Sequence, residues 1–166
     1  MALHYILDGY NVIKRTEPLA DQNIDDGRTT LIRLIESFRP QGSLNNQVTV
    51  VFDGRPGRSL PPESPEVRVI FTYDESADDK IKRMVQDSSA RRTMIVVTDD
   101  REIRFFVKSL GAQVLGSAEF LERLKPPRGV VRLKDDYEKI SGEQEKMINQ
   151  ELSGIWLRKK TGDKKN

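Results

Sequence analysis

Five short apolar runs mark the first 115 residues, and most of the longer stretches between them repeat their apolar positions every three or four residues. The runs are residues 3–7, Val48-Thr49-Val50-Val51-Phe52, Val67-Arg68-Val69-Ile70-Phe71, Met94-Ile95-Val96-Val97-Thr98 and Gln113-Val114-Leu115. Most are apolar on both faces, the pattern of strands buried in a parallel sheet. A helix is predicted over 24–38, with Leu31, Ile32, Leu34, Ile35 and Phe38 inward, Asp25 and Asp26 at its positive N-terminus, and Pro40 and Gly42 closing it. Ser76-Ala77-Asp78-Asp79 opens a second, with Ser76 as N-cap, Asp79 as its capping-box-like partner, and Ala77, Ile81, Met84 and Val85 as the apolar stripe. A third carries Ile103, Phe106, Val107 and Leu110 inward, with Asp99 as the expected N-cap and Gly111 at C′. Ser117 starts a fourth, through Phe120, Leu121 and Leu124 to Pro126-Pro127.

This alternation predicts an α/β fold, a three-layer sandwich with a central, mostly parallel sheet of about five strands flanked by helices. Residues 54–66 have no periodic apolar face. They suit either a loop over a substrate or a simple connection, and they leave the orientation of the third strand open. Past Pro127 the chain turns mixed and basic, with a further helix expected from Ser141 to about Lys160 and a disordered tail after it. The expected organisation is therefore one domain over 1–125 and a basic helical extension over 126–166.

Several apolar runs stop at an acid. Asp8, Asp53 and Asp99 close strands, and Asp78 begins a helix at what would be the same edge of the sheet, where ligands of open α/β sheets sit. Asp78 borders the buried face of its helix, whereas Asp79 shares a side with Lys82 and Arg83 and serves the helix terminus. Gathered carboxylates raise one another's pKa unless a proton or a cation relieves them. Composition then narrows the chemistry: there is no cysteine and a single histidine, His4, inside the first strand, where it is expected to pack or hydrogen-bond. Thiolate sites, cysteine nucleophiles and Ser/His/Asp chemistry are excluded or disfavoured, and an oxygen-only ligand set suits Mg²⁺ or Mn²⁺. Such an ion activates water and neutralises charge on a phosphodiester. Asn11 would add a neutral amide to orient water or a phosphate oxygen, and Thr98 a nearby hydroxyl.

The net charge of +2 conceals clusters of Arg and Lys after Asp53, along the middle of the chain and at its end. Arg55, Arg58, Lys80 and Arg101 are candidates to hold a phosphate backbone, which the resemblance described below makes that of RNA. No apolar run approaches the roughly 20 residues that cross a bilayer, and the start lacks a secretory signal pattern, so a cytoplasmic protein with no membrane partner is expected.

Leu7-Asp8-Gly9-Tyr10-Asn11-Val12-Ile13, Val50-Val51-Phe52-Asp53-Gly54, Glu75-Ser76-Ala77-Asp78-Asp79-Lys80-Ile81 and Val97-Thr98-Asp99-Asp100 resemble the successive motifs of YacP-like NYN-domain proteins, a branch of the PIN-like nuclease superfold. The resemblance covers about residues 1–125 and continues more loosely beyond. It implies an acidic site binding Mg²⁺ or Mn²⁺ and endonucleolytic cleavage of RNA, in some relatives of messenger on the ribosome. By matching position it makes Asp8, Asp78 and Asp99 the metal-binding and catalytic core, with Asp53 as a further ligand and Asn11 in support. Many NYN proteins carry another Asp where this chain has Arg101, which leaves a second metal position open; Asp100 or Glu102 would have to compensate, though neither matches by spacing. The resulting expectation is metal-assisted hydrolysis that leaves a 5′-phosphate and a 3′-hydroxyl. Two rivals are a catalytically weak or inactive RNA- or ribosome-binding module, which Arg101 and the basic extension favour, and a Mg²⁺-dependent phosphatase, disfavoured because Tyr10 stands where a second nucleophile-pair Asp would be. No Gly-rich, Lys-containing phosphate loop is present.

Overall fold

The computed structural model describes residues 1–57, 64 and 66–124, apart from the side chains of Glu17 and Pro18. Arg58 and the extension expected over 126–166 lie outside the described residues. Strands β1 (His4–Asp8), β2 (Gln47–Asp53), β3 (Val67–Thr72), β4 (Met94–Val97) and β5 (Gln113–Leu115) form one sheet in the order β3-β2-β1-β4-β5. Every neighbouring pair is parallel, so the third strand is a parallel edge strand beyond β2.

Six α-helices are described: α1 (Gly9–Lys14), α2 (Glu17–Ala20), α3 (Ile24–Phe38), α4 (Ala77–Asp87), α5 (Arg101–Ser109) and α6 (Ser117–Glu122). The first two occupy a stretch whose pattern suggested only a polar turn. With Val12 and Ile13 as its buried side chains, α1 is too short to display a period; the Asp8 carboxylate starts it by accepting the Asn11 N–H at 3.2 Å. Helix α3 ends on Arg39, whose φ of 46° takes the left-handed position, not on Gly42. The N-cap of α4 is Ser76 as expected, its hydroxyl accepting the Asp79 N–H at 3.0 Å. The N-cap of α5 is Asp100 rather than Asp99, accepting the N–H groups of Glu102 at 2.8 Å and Ile103 at 3.0 Å. Gly111 follows that helix with φ of 89°, the left-handed conformation that glycine adopts without strain.

Pleat parity decides what each strand end faces. Side chains alternate between faces along a strand, and aligned parallel neighbours share a face. Ile6 aligns with Thr49 and Val96, and Asp8 aligns with Val51. Ile6, Val51 and Val96 pack with Ala77, Ile81 and Val85 of α4 and with Ile103 and Val107 of α5. Tyr5 points the opposite way, its ring 6.4 Å from that of Phe120 on α6, and Phe52 meets Tyr10 of α1 at 5.3 Å. Helices α4 and α5 thus cover one face and α1, α3 and α6 the other. The chain runs outward through β2 and β3, then returns to place β4 on the far side of β1, so the connection reverses between β1 and β4. Ligands of open α/β sheets bind outside the carboxyl ends of the strands at such a reversal.

Gly9 closes this arrangement from beneath. A Cβ there would stand 2.3 Å from the ring of Phe52, which is fully buried against Tyr10 and Phe71 and has no room to withdraw. Gly9→Ala is expected to cost about 1–3 kcal/mol, read as a lower urea midpoint at unchanged m-value. An unchanged midpoint would show that the Phe52 cage yields.

Candidate active site

Asp8 shares its face with Ile6, so it is directed toward the layer of α4 and α5, whose N-termini lie at the carboxyl edge of the sheet. Its side chain is only 8% exposed as a residue, and burial pushes its carboxyl up to about 6. The Asn11 N–H and Lys14 oppose that rise, while the charges of Asp78 and Asp100 add to it. Asp78, in the first turn of α4, is raised by desolvation and by Asp100, with Lys82 opposing and Asp79 and Glu102 adding. The charges of Asp78 and Asp100 thus reach the buried Asp8, and that of Asp100 reaches Asp78. Glu102 is held by Lys82, and this hydrogen bond is the main reason that the Lys82 ammonium is raised above its ordinary value.

Asp99 engages a different set of partners. One carboxylate oxygen faces the Arg15 Nε at 3.2 Å; the other accepts the Ser117 N–H at 3.1 Å and faces Arg104 at 3.9 Å. Its own N–H donates to the Asn11 side-chain oxygen at 3.3 Å, which also accepts the fully buried Ser117 hydroxyl at 2.9 Å. The amide oxygen of the half-buried Asn11 thus joins α1 to α6 and to the turn after β4. Thr98 is also fully buried, and its hydroxyl accepts the Asp100 N–H at 3.1 Å. Asp53 falls on the same face as Asp8, two residues beyond the Val51 that Asp8 aligns with, and accepts the Thr72 hydroxyl at 3.3 Å.

Asp8 and Asp78 thus lie within electrostatic reach of Asp100, one of the two residues named as able to compensate for Arg101. Asp99 and Ser117 form a clamp beside them. Among the cationic candidates, Lys80 pairs with Glu75 at 3.5 Å, while Arg55 and Arg101 are exposed. His4 bonds the Thr49 hydroxyl at 2.8 Å, as expected for a packed histidine.

Behind the Asp8 turn, on the other face, lies a buried cation. Arg28 of α3 is 4% exposed and lies 5.1 Å from the Phe71 ring centre, 5.3 Å from Tyr10 and 5.5 Å from Phe52. It also bonds the Tyr10 hydroxyl and pairs with Asp25 at 3.2 Å.

An all-oxygen set of mutually repelling carboxylates fits a hard divalent ion in its chemistry. Among the described residues, no group of three or more acidic, histidine or cysteine side chains forms a ready-made metal cluster. Mg²⁺ keeps several of its waters and takes as few as one or two carboxylates, so the edge acids suffice as donors around a hydrated ion. Among the described residues no helix is long and apolar enough to cross a membrane.

A model of the YacP-like NYN domain family matches residues 5–161. The crystal structure of a tryptophan-to-leucine mutant of Rae1 (YacP) from Bacillus subtilis is similar at 25% identity and a TM-score of 0.59, over 95% of this chain and 89% of that one. The structure of Rae1 (YacP) from the same organism without that substitution is 24% identical, with a TM-score of 0.59 over 98% and 86% of the two chains, and supports the fold. No curated protein matches the chain.

Proposed function

The chain belongs to the YacP-like NYN family, whose domain is nuclease-like, and from that membership and the carboxylate edge we propose that it is a Mg²⁺- or Mn²⁺-dependent endoribonuclease. The observation that carries this reading is the buried Asp8 carboxyl at the reversal between β1 and β4, raised first by burial and further by the charges of Asp78 and Asp100. Asp8 and Asp78 would hold the cation, with water filling the rest of its shell. When bound, it would supply charge neutralisation at the phosphate and lower the pKa of water. The N-terminal ends of α4 and α5 bring positive dipole ends to the same edge, which favours an anionic phosphodiester there. In-line attack by water joins its oxygen to phosphorus and breaks the bond to the 3′ oxygen, which receives a proton; the products are a 5′-phosphate and a 3′-hydroxyl.

The second reading is an RNA- or ribosome-binding module without cleavage, favoured by the lack of a ready-made metal cluster among the described residues. End-labelled RNA incubated with Mn²⁺ or Mg²⁺, with and without chelator and beside Asp8→Asn, separates them. Cleavage that chelator and substitution each abolish supports the nuclease, and binding with no cleavage in either metal supports the module. Cleavage that persists through both treatments overturns the metal mechanism. Adding ribosomes to the same assay tests whether messenger must be presented on them.

A further inference from the structure

Helix α5 leaves one face unburied. At 3.6 residues per turn, Arg101, Arg104, Phe105 and Lys108 fall within an arc of about 100°, opposite the fully buried Ile103 and Val107. That arc holds three cations and no acid, since Glu102 lies outside it and is held by Lys82. Phe105 is 78% exposed, more than Tyr73 at 61%. A lone exposed ring is unremarkable, but a ring flanked by cations on one helix face is not. Arg104 is also positioned: besides facing Asp99, it donates to the Thr98 carbonyl at 3.4 Å. Across the same carboxylate stands Arg15, and Asp99 is itself fixed by Ser117 and Asn11. One carboxylate between two guanidiniums leaves a net positive charge, and Asp100, which caps α5, belongs to the acid group.

We infer that the outward face of α5, together with Arg15, is a track for single-stranded RNA leading to the acid edge. Phosphates lie against Arg15, Arg104, Arg101 and Lys108, and one base stacks on Phe105. Asp99 is then a positioning residue that aims the two arginines. A single strand is the occupant because its bases are free to stack on a ring, whereas a duplex keeps them stacked on one another. This rests on the ribonuclease reading and names how its substrate is held.

Fluorescence anisotropy with a labelled single-stranded 12-mer RNA and a hairpin of equal length, in chelator, tests it. Phe105→Ala weakens single-strand binding about tenfold and leaves the hairpin unchanged. Arg104→Gln combined with Lys108→Gln lowers the slope of log Kd against log salt by about 1.4, the loss of two phosphate contacts. With Mn²⁺, Phe105→Ala raises KM at unchanged kcat. Unaltered binding and KM in these surface variants overturn the track and leave a Mn²⁺-dependent nuclease intact. A wild-type chain that neither binds nor cleaves RNA removes both. Displacement of the single strand by poly-glutamate as effectively as by unlabelled RNA also overturns the track, because an acidic protein would then serve equally.

Discussion

Asp8→Asn is expected to lower metal-supported RNA cleavage by about three orders of magnitude, equivalent to about 4 kcal/mol of transition-state stabilisation, and to make the metal-free protein more stable at pH 7.5. The two effects share a cause. Asp8 is buried beside Asp78 and Asp100, an arrangement that is costly without a cation. Asparagine keeps an oxygen to accept the Asn11 N–H and so preserves the start of α1, while removing the charge.

The size and pH dependence of the stability gain follow from linkage. In the unfolded chain the carboxyl titrates at its ordinary 3.8, and in the folded protein at about 6. Between those values the folded state holds a proton that the unfolded chain has released. Stability from this group is therefore greatest below the lower value, falls as pH rises through the window, and levels off above it. The full span corresponds to about 3 kcal/mol. Asp8→Asn should match the wild type near pH 3.5 and exceed it at pH 7.5, with a melting temperature several degrees higher for a chain of this size. Mn²⁺ added at pH 7.5 should stabilise the wild type more than the variant, because only binding to the folded state raises its stability. Equal unfolding curves for the two proteins across this pH range would show that the acid edge stores no repulsion.

The layered fold was legible because fully apolar strands and amphipathic helices leave periodic marks. Residues 24–38, the Ser76 cap and Gly111 all stand where those marks put them. Helix α1 was not legible, since its existence rests on a carboxylate cap and two buried residues rather than on a period. The acid site was half legible. Asp8 and Asp78 stand at a strand end and a helix start, whereas Asp99 and Asp100 lie in the turn between β4 and α5, where strand alternation no longer applies. Which of them caps α5 and which meets Arg15 and Ser117 is decided by tertiary contacts. Ser117 gave no signal at all: a serine beginning a helix looks like a cap, whereas here Gly116 occupies the cap position and the buried Ser117 hydroxyl ties Asn11 to α6.

Arg28→Ala is expected to destabilise the protein by about 3–4 kcal/mol, from lost contacts with three rings and the cavity left among them. Arg28→Met, which refills most of that volume without the charge, should cost only about 1 kcal/mol, because burying a cation consumes much of what its ion pair returns. Asp25, 28% exposed, can then be solvated in place of its pairing with Arg28. Urea unfolding of both variants reads the difference directly. If methionine costs as much as alanine, the guanidinium itself holds the rings, through its face-on stacking and its bond to the Tyr10 hydroxyl. Either way the consequence reaches the carboxyl edge of the sheet: Arg28 braces Phe52, a Cβ on Gly9 would collide with Phe52, and Gly9 follows Asp8. A loosened cage should therefore lower kcat for the folded alanine variant while leaving its affinity for RNA on the α5 side unchanged.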